Sequence, residues 1–252
     1  MYIIPAIDIF EGQLVRLNQG DYSSVKQYGL SPLEIAKSFE GVGIKHLHLV
    51  DLEGAKSGEP KNLKILEEIA NSTNLIIDFG GGVKSTESLQ NSFNAGASKI
   101  TCGSIAVKDK DLVLSWLEKY GEQKLILGAD CRDNMIATSG WLKTSDLEIH
   151  SFITSYLNKG FKRVVATDIS KDGMLKGPST ELYKSLIKRC PQQLELVASG
   201  GVSCIEDLVE LNSIGCFAAI VGKAFYEGRI SLEELSKLEE KFNACYKNNT
   251  VS

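Results

Sequence analysis

No stretch of this 252-residue chain stays apolar for the roughly 18–20 residues that a bilayer crossing needs, so a helical membrane protein is excluded. Positive charge is not in surplus either. Its 28 Lys and Arg against 32 Asp and Glu give a net charge of −4, and the concentrated basic face that nucleic acid requires is missing. The six cysteines, at 102, 131, 190, 204, 216 and 245, show no Cys-x-x-Cys spacing. That speaks against a zinc knuckle or a disulfide framework and for free thiols in a reducing compartment. The first residues carry no basic leader and reach Asp8 early, which predicts a cytoplasmic protein. What remains, 43% hydrophobic and 24% charged with no segment of disorder-like composition, is an ordinary globular chain. One domain over 1–245 is expected, with 246–252 as a frayed tail.

Short β-branched apolar runs alternate with longer segments of helical period. Strands are predicted at 2–8, 46–51, 75–79, 99–102, 124–130, 163–168, 194–198 and 218–221. Runs such as Leu125-Ile126-Leu127 are apolar without alternation, the mark of strands buried on both faces of a parallel sheet. Helices are signalled by Ser31-Pro32 before 33–39, by Ser85 before 86–94 and by Asp146 before 147–157. Eight βα units in about 240 residues predict a (β/α)8 TIM barrel, with a doubly wound open sheet as the competing architecture. Residues 10–30 and 131–145 read as long loops in corresponding places of two halves, and such loops often serve as lids.

A repeat favours the closed barrel. Gly81-Gly82-Val83 recurs 119 residues later as Gly200-Gly201-Val202, and Glu87, Leu89, Gly96 and Gly103 recur in the same frame as Glu206, Leu208, Gly215 and Gly222. The pattern predicts a twofold pseudo-repeat of half-barrels. Each glycine pair follows a strand and precedes a helix, where free N–H groups and the helix dipole attract an anion. Gly103-Ser104 would complete the first anion site and Gly222-Lys223 the second. A ligand with a phosphate at each end fits two such sites.

In a barrel the loops after the strands build the site, so strand-end residues carry the chemistry. Asp8 and Asp130 end the first and fifth strands and face each other across the two halves. A carboxylate pair of this kind divides into general acid and general base when its surroundings separate the pKa values. Asp51 and Asp168 also end strands, and read as structural or substrate-orienting. Arg16 and Trp141, one in each long loop, are placed to close over a ligand by charge and by stacking. His46 and His48 share one face of a strand, whereas Asp51 turns to the other. An orienting role fits them better than a metal.

Pro5-Ala6-Ile7-Asp8, Val15-Arg16-Leu17 with Gln19-Gly20-Asp21-Tyr22, His48 to Lys56, Gly80-Gly81-Gly82-Val83, Thr167 to Gly173 and Val221-Gly222-Lys223-Ala224 together resemble the phosphoribosylformimino-aminoimidazole-carboxamide ribotide isomerase family of histidine biosynthesis, from residue 2 to about 240. The resemblance implies a barrel that converts an aminoaldose to an aminoketose by Amadori rearrangement without metal or cofactor, on a substrate with two phosphates. It implies Asp8 as general base and Asp130 as general acid. It brings Arg16, Gly20, His48, Trp141, Thr167, Asp168, Asp172 and Gly173 to the substrate, beside the glycine loops. A monomer is expected. The chain departs from the family pattern at Lys84, where an arginine is usual; lysine keeps the charge but loses the planar fork.

Three other readings stand beside this one. The related cyclase shares the barrel and the aspartate pair, but Ala6 and Arg16 stand where it has a cysteine and a lysine-bearing loop. A dual-substrate isomerase would also take phosphoribosylanthranilate. A non-catalytic metabolite sensor would keep the phosphate loops and lose a carboxylate, and both carboxylates are present.

Overall fold

The computed structural model describes residues 1–190 and 193–249. β1 (Tyr2–Phe10) runs into the antiparallel hairpin β2 (Gln13–Asn18) and β3 (Asp21–Gln27). Then come β4 (His46–Asp51), β5 (Ile76–Gly80) and β6 (Lys99–Cys102). β7 (Leu125–Arg132) runs into a second hairpin, β8 (Met135–Thr138) and β9 (Lys143–Glu148), and β10 (Arg163–Asp168), β11 (Glu195–Ser199) and β12 (Ala218–Val221) follow. β1, β4, β5, β6, β7, β10, β11 and β12 pair in parallel in that order, and β12 returns to β1. The sheet is a closed eight-stranded barrel with helices between the strands.

The twofold repeat is structural as well as textual. β5, β6 and the helix Thr86–Asn94 begin and end 119 residues before β11, β12 and the helix Ile205–Ser213. Ser85 caps the first of those helices by accepting from Ser88 N, and Cys204 stands at the corresponding cap of the second. Across the barrel seams Asp8 pairs with Val50 and Asp130 with Thr167, so the two carboxylates occupy equivalent rungs.

Apolar surface is buried in two places. The larger core lies between strands and helices and includes Phe39, Leu66, Phe79, Trp116, Tyr156 and Tyr183. A smaller plug of Ile4, Ala6, Ile126, Val165, Val197, Ala218 and Ile220 fills the barrel interior, as layered side chains do in this architecture. At the far end of the barrel Tyr2 meets His46 edge-on, and Arg163 lies over Phe217 while pairing with Glu195 at 2.7 Å. Both ends of the interior are therefore committed: one to packing, the other to the site.

Two expectations change. Residues 10–30 and 131–145 are β-hairpins rather than loops, because β1 and β7 continue past the rim and fold back on themselves. The seventh helix (Ile149–Leu157) starts later than Asp146 suggests; Lys143–Glu148 is a strand, and Glu148 caps the helix by accepting from Ser151 N at 2.9 Å. The final helix spans Leu232–Asn249, reaching into the segment expected to fray, and residues 250–252 lie outside the described residues. Cys102, Cys131, Cys190, Cys204 and Cys216 are free thiols. Among the described residues no helix is long and apolar enough to cross a membrane.

On the final helix Glu239 is 6% exposed, and among the described residues its Oε2 has no hydrogen-bond partner. Burial pushes its carboxyl up to about 7, against the pull of the chain's α-amino group and Lys45. A carboxyl raised on folding adds stability below its unfolded pKa and loses it as pH rises through the folded value. Glu239→Gln is therefore expected to raise the melting temperature at pH 8, with the gain vanishing near pH 4.5; an equal shift at both pH values would show that burial of the charge is not the cause.

Candidate active site

The rim where the barrel strands end encloses one cavity, lined from both halves of the repeat. Asp8 and Asp130 both reach it, as do Arg16 and Trp141 from the two hairpins, and so do all the other residues expected at the site except Asp168.

Each hairpin delivers one donor to one carboxylate. Arg16 Nη1 donates to Asp8 Oδ2 at 2.6 Å, and Nη2 donates to Ala6 O at 2.8 Å. Trp141 Nε1 donates to Asp130 Oδ2 at 2.8 Å. The partners differ in kind: Asp8 faces a cation and Asp130 a neutral indole. Burial pushes the Asp130 carboxyl above its ordinary value, only partly offset by the Thr167 hydroxyl, Trp141 and the charge of His48. Burial works against the Arg16 charge as well, but Asp8, Tyr226 and Asp172 reverse this and hold its pKa high. The hairpins also meet above the cavity. Trp141 lies so close to Gly20 that a Cβ there would fall 2.5 Å from its Cε3.

Arg16 is fixed from beneath. Its guanidinium lies 5.3 Å from the centre of the Tyr226 ring, and the Tyr226 hydroxyl donates to the same Ala6 carbonyl. A Cβ on Gly222 would stand 2.2 Å from Arg16 Nη2, so only glycine lets the guanidinium settle over this loop. Lys223 Nζ bridges Asn18 Oδ1 at 2.6 Å and Gly173 O at 2.7 Å, tying the first hairpin to the loop after β10. Asp172 sits among these groups with its carboxyl pushed up to about 6, by burial first and then by Asp8 and Asp130, against the pull of Arg16 and Lys223.

The two glycine pairs have the same backbone. Gly81 and Gly82 have φ of 106° and 85°, and Gly200 and Gly201 have 95° and 89°, a region that side chains rarely enter. Each pair is also packed against another loop: a Cβ on Gly81 would lie 2.1 Å from Asp51 O, and one on Gly201 2.3 Å from Gly177 O. Those neighbouring loops are held by Asp51 and Asp168. Asp51, fully buried, accepts from Gly54 N, Lys61 N and Asn62 N and from the Asn62 amide. Asp168 accepts from Ser170 N and from the hydroxyls of Ser170 and Ser179. Each aspartate thus latches a residue eleven positions ahead. The Asp168 carboxylate is engaged in this latch and is not among the residues lining the cavity.

Sequence reasoning passed over three residues. Tyr226 supports Arg16 and is reached only through the closure of the barrel. Tyr22 lines the cavity and donates to Leu52 O at 2.9 Å, fastening the first hairpin. Asp78, 6% exposed, bonds His48 Nδ1 at 2.7 Å and accepts from Thr101 Oγ1 at 2.5 Å. An acid inside the apolar run Leu75 to Phe79 was its one visible signal. Lys84 lines the cavity beside the first glycine pair, its pKa lowered by burial and by Lys108.

A family profile described as "Histidine biosynthesis protein" matches residues 2–231. The chain is 53% identical over 233 residues to a protein of Bacteroides thetaiotaomicron, covering 92% of this chain and 97% of the relative. It is 53% identical over 235 residues to one of Flavobacterium johnsoniae (93% and 98%) and 50% identical over 242 residues to one of Cytophaga hutchinsonii (96% and 99%). All three relatives are named 1-(5-phosphoribosyl)-5-((5-phosphoribosylamino)methylideneamino)imidazole-4-carboxamide isomerase.

Proposed function

The chain belongs to the histidine biosynthesis protein family, and from that premise we infer that it catalyses the Amadori rearrangement of the bisphosphorylated aminoaldose named in its relatives to the corresponding aminoketose. The observation that carries this reading is the placement of Asp8 and Asp130 on equivalent rungs of the two half-barrels, lining one cavity between two glycine loops of matching backbone. The loops at Gly81-Gly82 and Gly103-Ser104, and at Gly200-Gly201 and Gly222-Lys223, would each hold one phosphate, leaving the central ribose across the mouth. The protein would act as a cytoplasmic monomer.

The chemistry follows from the two environments. Asp130, whose proton is favoured by burial, gives it to the ribose ring oxygen as the C1′–O bond breaks and the nitrogen lone pair forms a C1′=N iminium. Asp8, as a carboxylate paired with Arg16, removes the C2′ proton, and the C–H electrons form C1′=C2′ and neutralise the iminium. The resulting enolamine tautomerises to the ketone. Trp141 would cover the reacting ribose, and the hairpin contact at Gly20 would exclude water from the iminium.

The test is a spectroscopic assay with the bisphosphorylated aminoaldose, coupled to the cyclase of the next step and run beside phosphoribosylanthranilate. Turnover of the first substrate is expected. Comparable turnover of both would favour the dual-substrate alternative, and turnover of neither would overturn the reading.

A further inference from the structure

His48 and Asp78 lie side by side on β4 and β5, paired rung to rung, with Thr101 on the next strand. His48 and Thr101 line the cavity, whereas Asp78 sits behind them, its side chain 9% exposed. Its two carboxylate oxygens are divided: Oδ2 takes His48 Nδ1 at 2.7 Å and Oδ1 takes the Thr101 hydroxyl at 2.5 Å. A carboxylate behind an imidazole fixes the ring plane and places a proton on the bonded nitrogen. The other ring nitrogen, Nε2, is thereby left for the cavity.

We propose that Asp78 is a positioning residue for the rearrangement: bonded to His48 Nδ1, it orients the imidazole so that Nε2–H donates a hydrogen bond to a ribose oxygen between Asp8 and Asp130. The inference rests on the isomerase reading for its substrate, and on the His48–Asp78–Thr101 geometry for its mechanism.

Electrostatics agree with the geometry. Burial alone would lower the His48 pKa, yet Asp78, through charge and hydrogen bond, raises it above the ordinary imidazole value. The other groups facing His48 are Asp8 from β1, which favours its charge, and Arg16 from β2, which opposes it. Asp130 from β7 also feels the His48 charge. Deeper in the barrel, Lys99 and His46 face Asp78 itself. A His48 cation gives the ribose oxygen a charged donor at Nε2, which a neutral ring with its proton on Nδ1 would lack.

Asp78→Asn keeps the shape and an acceptor for Nδ1 but removes the charge. The measurements are kcat across pH and an NMR titration of the His48 imidazole, with Asp78→Glu as the conservative variant. Imidazole charge is expected to persist to higher pH in the unaltered protein than in Asp78→Asn. The kcat deficit of Asp78→Asn should be about tenfold or more near pH 8, closing to within about threefold near pH 5.5. Asp78→Glu should restore part of it. The Asp78→Asn/His48→Gln double variant should be no slower than His48→Gln alone, since Asp78 acts through His48. A deficit equal at all pH values, or one additive with His48→Gln, would overturn the proposal. If Asp78→Asn does not fold, the titration of the unaltered protein decides: a His48 that has lost its charge by pH 6.5 overturns it. Failure of the isomerase reading looks different, because no form of the protein would then turn over the substrate while the titration still reports the Asp78–His48 coupling.

Discussion

Asp130→Asn is expected to lower kcat about 10³-fold, within the range that positioned general acids contribute, with little change in KM. The loss should fall on kcat because the glycine loops proposed to anchor the substrate's ends are not touched by the change. Burial favours the proton on Asp130, and the reaction needs that proton at the ring-opening step. The alkaline limb of the kcat profile should therefore belong to Asp130 and disappear in the variant. Stability should move the other way. A carboxyl raised on folding is penalised when ionised, so the neutral amide is expected to leave the melting temperature at neutral pH unchanged or higher. Near-normal turnover in Asp130→Asn would remove it from the acid's role, and a large fall in melting temperature would mean its Trp141 bond matters more to the fold than its charge.

The parts of this site that sequence makes legible are those that repeat. The glycine pairs must adopt positive φ twice, in the same place relative to a strand and a helix, so the same residues return in one frame. Asp8 and Asp130 follow because they occupy equivalent rungs. Asp78 breaks the repeat, since Val197 stands 119 residues on, and its partners lie on neighbouring strands rather than nearby in sequence. The hairpins were illegible for another reason. β3 reads Asp-Tyr-Ser-Ser-Val-Lys-Gln because it stands over the rim with no core face to bury, so the alternation that marks a half-buried strand is missing. Asp168 shows the limit of position alone: a strand-end acid in a barrel has two uses, and only the bonds to Ser170 and Ser179 show that this one holds a loop.

Asp8→Asn should match Asp130→Asn in activity, losing about 10³-fold or more in kcat because the carboxylate placed to take the C2′ proton is gone, but it should differ in stability. Asp8 is the direct ion-pair partner of Arg16, and the two side chains are only 13% and 12% exposed. The guanidinium already carries one buried Nε without a partner among the described residues, so replacing the carboxylate leaves a buried charge with a neutral amide in front of it. Removing one partner of a fully buried pair costs about 3–5 kcal/mol. Here the retained amide acceptor, the Ala6 carbonyl and the nearby Asp172 reduce this, to about 2 kcal/mol, or roughly 4–8 °C in melting temperature. The opposite signs follow from one difference between the two halves of the repeat: one hairpin brings its carboxylate a cation, and the other brings an indole. A thermal denaturation series on the two variants reads that difference without substrate. Equal shifts would mean that the hairpin residues, Arg16 and Trp141, do not divide the pair into base and acid.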